Sequence, residues 1–115
     1  MNIRAPSRGE VWDFDLDPTL GREQAGTRPA LVLSADIFNE GLADLVVVIP
    51  VTRTERRVRW HVPVQPPEGG FVARSFIQCE NVRSVSKRRI QRLRGRVAES
   101  TMRQVEDRLR ILLGL

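Results

Sequence analysis

Nine consecutive residues, Gly21-Arg22-Glu23-Gln24-Ala25-Gly26-Thr27-Arg28-Pro29, place a carboxylate, arginine and two glycines directly before the apolar run Ala30 to Leu33. A carboxylate and a guanidinium in one loop suit phosphate chemistry: the first takes a proton, the second carries developing negative charge. Some twenty-four residues after Arg28, Thr52 ends another apolar run and offers a hydroxyl. Together the three suit cleavage of an RNA phosphodiester without a metal. In that reaction the ribose 2′-hydroxyl is a nucleophile already beside the phosphorus. The protein must align it, accept its proton, steady the extra charge and assist the leaving 5′-oxygen. Glu23 is the candidate base, Arg28 the charge-stabilising group and Thr52 a hydroxyl contact. Spacing alone equally allows Glu23 to pair with Arg28 across the loop.

Other chemistries fit the chain less well. Asp13, Asp15 and Asp17 have the spacing that opens a calcium loop. Pro18, however, occupies the position needing glycine, and Gln24 stands where a bidentate glutamate closes such a site. Alternate carboxylates on the solvent face of a strand are the simpler reading. The single histidine, His61, and the single cysteine, Cys79, lie eighteen positions apart and cannot supply a zinc ligand cluster. His61 sits in an alternating strand among arginines, poorly placed as the base of a nucleophilic triad and better suited to contacting a nucleobase. Cys79 reads as a small core residue. The sole lysine, Lys87, lies in the basic run KRR and does not match the lysine of a magnesium-dependent nuclease. No cofactor is expected.

Charge points to a polyanion. Residues 1–52 carry four arginines against eight acids, a balance of −4, whereas residues 53–115 carry fourteen arginines and Lys87 against six acids, a balance of +9. Arginine supplies eighteen of the nineteen basic residues, and its planar fork suits bidentate phosphate contact. At 115 residues with 41% hydrophobic content the chain fits one domain, spanning 1–115, around one core, with a dimer as a way to bury more. No run approaches the roughly 18 apolar residues of a membrane span, and residues 1–7 lack the apolar segment of a secretory signal. An intracellular, reducing compartment is compatible with one cysteine.

The elements that must hold these residues follow from periodicity. Residues 9–17 predict a first strand, with Trp12 breaking its alternation, and residues 18–28 a loop. A buried strand over 30–34 leads to a short helix over 35–42, capped by Ser34 and ending near Gly41. LVVVIPV at 45–51 predicts a central strand, with Pro50 marking a bulge or sheet edge. A basic turn, TRTERR, precedes an alternating strand over 58–64 with Arg59, His61 and Pro63 on a wet face. PPEGG at 66–70 reads as a mobile loop, and residues 73–79 and 93–98 as further strands. Met102, Val105, Leu109, Leu112 and Leu113 form one stripe of a C-terminal helix, with Ser100 as N-cap and Gly114 as C-terminal cap. The result is an α+β domain of short strands, a small barrel.

Residues 8–34, RGEVWDFDLDPTLGREQAGTRPALVLS, closely resemble the N-terminal signature of the MazF/PemK family of toxin ribonucleases from toxin–antitoxin pairs. Further matches are VVVIPVT at 46–52, SFIQCENVRSV at 75–85 and the helix ending in LLGL. The resemblance runs through nearly the whole chain in order, and its G-x-E-Q-x-G-x-R-P core is specific. It implies an SH3-like (CcdB/MazF-type) antiparallel β-barrel with a C-terminal α-helix, working as a cytoplasmic homodimer. It further implies metal-independent, sequence-specific cleavage of single-stranded RNA to 2′,3′-cyclic phosphate and 5′-hydroxyl ends, restrained by a MazE-like antitoxin. The family's active-site positions fall on Glu23, Arg28 and Thr52, and Gln24 and Arg83 at substrate-groove positions. The loop after Thr52, with Arg53, Arg56 and Arg57, and the PPEGG loop beside Gln65 border that groove. Glu80 and Asn81 stand where relatives often have an acid followed by Gln, which bears on base preference. Trp60, His61, Gln65 and Phe71 are candidate base contacts, with Trp60 and Phe71 read first as core residues. Two other functions are compatible with the fold: a toxin that binds DNA gyrase, and a non-catalytic RNA-binding barrel.

Overall fold

The computed structural model describes residues 5–16 and 26–115. Glu23 and Gln24 lie outside the described residues, as do Asp17, Gly21 and Arg22. The elements are β1 (Glu10–Asp15), β2 (Thr27–Val32), α1 (Asp36–Asn39), β3 (Leu45–Thr52), β4 (His61–Val64), β5 (Ser75–Gln78), β6 (Arg83–Ser86), β7 (Ile90–Arg96) and α2 (Glu99–Leu113). Short 3-10 turns occupy Glu68–Gly70, Cys79–Asn81 and Lys87–Arg89.

All pairings are antiparallel. β1 pairs with both β2 and β7, β2 with β3, and β3 with β6. The turn Lys87–Arg89 joins β6 directly to β7, so β1, β2, β3, β6 and β7 close a ring. The outer half of β3 carries the hairpin of β4 and β5, with Val51 opposite Ile77 and Thr52 opposite Phe76. Pro50 falls between the stretch of β3 that pairs with β6, ending at Val48, and the stretch that pairs with β5, beginning at Val51. Its missing N–H costs the ladder nothing there, which is why a central strand tolerates it.

Two hydrophobic clusters use opposite faces of the same strands. Trp12, Phe14, Ala30, Val32, Val46, Val48 and Val85 pack together inside the ring. Val11, Leu31, Ile49 and Val51 point the other way, against Val62, Val64, Ile77 and the helix residues Val105 and Leu109. With both faces covered, β1 is buried from Glu10 to Phe14, and only Asp15 at its end is exposed. Trp12 is therefore an inward residue rather than a break in the pattern, and Asp13 is buried rather than solvated.

Several local expectations are corrected. The helix at 35–42 shrinks to Asp36–Asn39 with Ala35 as N-cap, because Ser34 instead accepts the Val47 N–H and bonds Asn39. The lone lysine is structural: the Lys87 ammonium donates to the carbonyls of Asn39 (2.7 Å) and Gly41 (3.2 Å), where α1 ends. The strand expected over 58–64 begins only at His61, following Arg57 at φ 53°. Ser100 does not cap α2; Ala98 is the N-cap residue, and Glu68 of the PPEGG loop supplies the carboxylate. Its Oε2 accepts from the Ala98 N–H at 2.8 Å and from the Thr101 hydroxyl. In the helix stripe, Val105 and Leu109 are buried while Leu113 is exposed. Gly114 closes the helix at φ 72°, as expected. Among the described residues no helix is long and apolar enough to cross a membrane.

The PPEGG loop is held, not loose. Gly70 lies at φ +75°, and a Cβ there would sit 2.1 Å from the Arg94 carbonyl oxygen, while a Cβ at Gly95 would lie 2.7 Å from the Gly70 nitrogen. The glycines permit backbone-to-backbone contact between this loop and β7. Glu68 then ties the same loop to α2.

Candidate active site

β2 and β3 bring the first two site residues together. Ala30 pairs with Pro50, Leu31 with Ile49 and Val32 with Val48. That pairing ends at Ala30 and Pro50, two residues short of Arg28 on β2 and of Thr52 on β3. Both line a cleft of about 270 Å³, together with Arg53, Thr54, Phe71 and Arg94. The Thr52 Oγ1 accepts the Thr54 N–H at 3.2 Å, which leaves its proton free to donate outward. Among the described residues no ion pair engages the Arg28 guanidinium, and Arg28 lines the cleft.

Arg94 was not expected from sequence, where it is one more arginine in the basic second half. β7 places it in the cleft, and three contacts hold it. Its Nη1 lies 3.2 Å from Oδ1 of buried Asp13, its guanidinium stacks 5.7 Å from the Phe71 ring centre, and its backbone abuts Gly70. The signal that could have found it is the odd placement of Asp13: an acid on a strand covered on both faces requires a cationic partner. Arg92 supplies a second one, at 3.3 Å from Asp13.

The remaining expected residues are spread more widely. Arg53 lines the cleft; Arg56 and Arg57 continue the same exposed loop. Gln65, Asn81 and Arg83 are exposed and do not line it. Glu80 is half out of solvent, its Oε2 2.8 Å from Nε2 of His61. His61 itself is buried rather than on a wet face, with its Nδ1 unpartnered among the described residues. It does not line the cleft that Arg28 and Thr52 share. Phe71 is core as well as cleft wall, and Trp60 packs at the edge of the core under Arg59, 5.1 Å away. Cys79 is buried, and burial, reinforced by the Glu80 charge, pushes its thiol pKa up to about 11; it is a poor nucleophile at neutral pH. A larger hollow of about 520 Å³ between Arg8, Arg96 and α2 holds none of the expected site residues, and an Arg8–Glu106 ion pair spans it.

The family model for the PemK-like, MazF-like toxin of type II toxin–antitoxin systems matches residues 7–113. The chain belongs to this family. Endoribonuclease MazF9 of Mycobacterium tuberculosis is 34% identical over 113 residues, covering 94% of this chain and 96% of that protein. Among solved structures, MazF from Deinococcus radiodurans superposes with a TM-score of 0.83 at 28% identity, over 98% of this chain and all of the other (100%). A mycobacterial endoribonuclease in complex with its cognate antitoxin superposes with a TM-score of 0.79 at 27% identity, over 96% of this chain and 97% of that one. The closed ring with a C-terminal helix is thus the PemK/MazF toxin fold. These names concern RNA cleavage, and they lend the gyrase-binding alternative no support.

Proposed function

We propose that this PemK/MazF toxin is a metal-independent endoribonuclease that cleaves single-stranded RNA in the cleft between β2 and β3. The observation that carries the reading is the placement of Arg28 and Thr52 side by side in that cleft, in a chain whose relatives are named endoribonucleases. The 2′-hydroxyl attacks the adjacent phosphorus as its proton passes to the base, the bond to the 5′-oxygen breaks, and that oxygen takes a proton from water, so the products are a 2′,3′-cyclic phosphate and a 5′-hydroxyl. Arg28 clamps the charge that grows on the non-bridging oxygens, where a preorganised cation is worth most. A guanidinium gives up its proton reluctantly, so the clamp is its main role. The Thr52 hydroxyl donates a hydrogen bond to a phosphate oxygen. Glu23, five positions before Arg28 in the sequence, is the base for the 2′-proton. Arg53, Arg56 and Arg57 guide the backbone into the cleft, with Gln24, Gln65, Glu80, Asn81 and Arg83 contacting the strand beyond it.

The chain acts as one functional unit, as a cytoplasmic homodimer. Its antitoxin is an acidic peptide with apolar anchors that orders along the basic surface and displaces RNA. The relative solved with its cognate antitoxin supports this partner.

The decisive assay incubates purified protein with mixed-sequence RNA in EDTA, alongside Arg28→Ala, Thr52→Val, Glu23→Gln and a deoxyribose-substituted strand. Cleavage of the ribose strand by the parent is expected, with at least ~100-fold slower cleavage by Arg28→Ala. Glu23→Gln should depress cleavage far more than RNA binding. Intact RNA throughout, or cleavage of the deoxyribose strand, would overturn the reading.

A further inference from the structure

We infer that Arg94 is a second phosphate-binding guanidinium of the cleft, positioned for the RNA backbone by Asp13 and Phe71 before any substrate arrives. The inference rests on the RNA-cleft reading of Arg28 and Thr52 and adds to it a residue from a different strand.

Arg94 and Arg28 face one hollow of about 270 Å³ from β7 and β2, the two neighbours of β1. Their partners differ. Arg28 has no ion pair among the described residues, whereas Arg94 is built in: its side chain is 20% exposed, and Asp13, against which it rests, only 8%. A buried carboxylate would by itself cancel the charge of one arginine. Asp13, however, is shared between Arg94 and Arg92, so the trio carries one net positive charge. Arginine has five N–H donors in a rigid fork, and the contact with Asp13 uses the Nη1 end. The rest remain for a bidentate acceptor such as a phosphate.

The backbone is equally committed. The close approach of Gly70 to the Arg94 carbonyl and of Gly95 to Gly70 fixes where β7 sits, and the Phe71 ring fixes the plane of the guanidinium. So much structure around a cleft-lining cation exceeds what charge balance requires, since exposed Arg92 already offers Asp13 an ion pair without lining the cleft. Lying on β7, away from the Arg28 and Thr52 strands, Arg94 is assigned to a phosphate other than the scissile one, whose charge does not change in the reaction, so it binds ground state and transition state alike. Arg94 is therefore a residue of substrate affinity, complementing Arg28, which acts on developing charge.

The test measures binding of a single-stranded RNA, made non-cleavable by 2′-deoxy substitution, to the parent, Arg94→Ala and Arg92→Ala proteins as a function of salt. The two substitutions remove the same charge from the same carboxylate at different places. Arg94→Ala is expected to weaken binding about tenfold or more and to reduce the salt slope by about 0.7, one phosphate on a single strand. With cleavable RNA it raises KM and leaves kcat within about twofold. Arg92→Ala should change binding by less than about threefold. If Arg94→Ala fails to fold, Arg94→Lys is read instead. An ammonium that pairs with Asp13 cannot also fork onto phosphate, so weakened binding with an intact parental melting temperature is expected. Equal losses for Arg94 and Arg92 variants, parental binding by Arg94→Ala or by Arg94→Lys, or a fall in kcat alone would overturn the inference while the RNA-cleft reading stands. A parent that neither binds nor cleaves RNA would overturn that reading and the inference with it.

Discussion

Gly70→Ala tests the clamp between the PPEGG loop and β7, and Gly114→Ala is its matched control. The two glycines have nearly the same backbone angle, φ +75° and φ +72°, so both substitutions carry the left-handed penalty of about 1–2 kcal/mol. They differ in space. At Gly114 nothing lies within 4 Å of the new Cβ, whereas at Gly70 the Arg94 carbonyl oxygen would lie at 2.1 Å, well inside the 3.0 Å that real Cβ atoms respect. That oxygen belongs to backbone and cannot rotate away, so about an ångström of loop or strand displacement is required. Overpacking of this kind adds about 1–3 kcal/mol, for a total near 2–5 kcal/mol against 1–2 at Gly114. At about 4 °C per kcal/mol, Gly70→Ala should lower Tm by roughly 8–20 °C and Gly114→Ala by roughly 4–8 °C. Thermal melts followed by circular dichroism at one fixed protomer concentration measure both, since oligomerisation makes Tm concentration-dependent. Equal shifts for the two variants would refute the argument, because the left-handed backbone alone would then account for both.

Two further outcomes follow from the same framework. Glu68→Ala removes the carboxylate that accepts from the Ala98 N–H and the Thr101 hydroxyl; a loss of about 1–2 kcal/mol in urea unfolding is expected, and a loss under ~0.5 kcal/mol would show that water caps α2 equally well. The Cys79 thiol ionises near 9.0 when unfolded but only at about 11 when folded, so the unfolded chain binds fewer protons between those values and stability falls as pH rises through them. With no tyrosine and a single lysine, few other groups titrate there. Cys79→Ala should therefore flatten the decline in Tm between pH 9 and 11, and an unchanged slope would count against burial of the thiol.

Much of the fold was legible because it rests on local patterns. The valine-rich run fixes β3 as the central strand, and the three- and four-residue spacing of Met102, Val105 and Leu109 requires α2 and points its stripe inward. Gly114 marks its end, since only a residue tolerant of left-handed backbone closes a helix that way. The candidate site was half legible: Arg28 and Thr52 stand out as a cation and a hydroxyl at strand ends. Where the reading failed, a long-range partner decided the outcome. Ser100 looks like a cap until Glu68, some thirty residues away, arrives with a better acceptor. The PPEGG glycines look like a flexible loop until β7 packs against them.

Sequence by itself determined the chemistry on offer: a carboxylate five positions before a guanidinium, a hydroxyl closing an apolar run, an arginine-rich second half, and too few histidines, cysteines or lysines for the rival mechanisms. Residue type carries that information without any fold. Only the tertiary structure decided which groups meet. Arg28 and Thr52 share a cleft because the antiparallel pairing of β2 with β3 brings the two strands together just beside them. Arg94 joins them because closing the ring puts β7 beside β1, where burial of Asp13 demands a cation. Register and ring closure depend on pairings between distant segments, and a charge acquires its partner only when those pairings form.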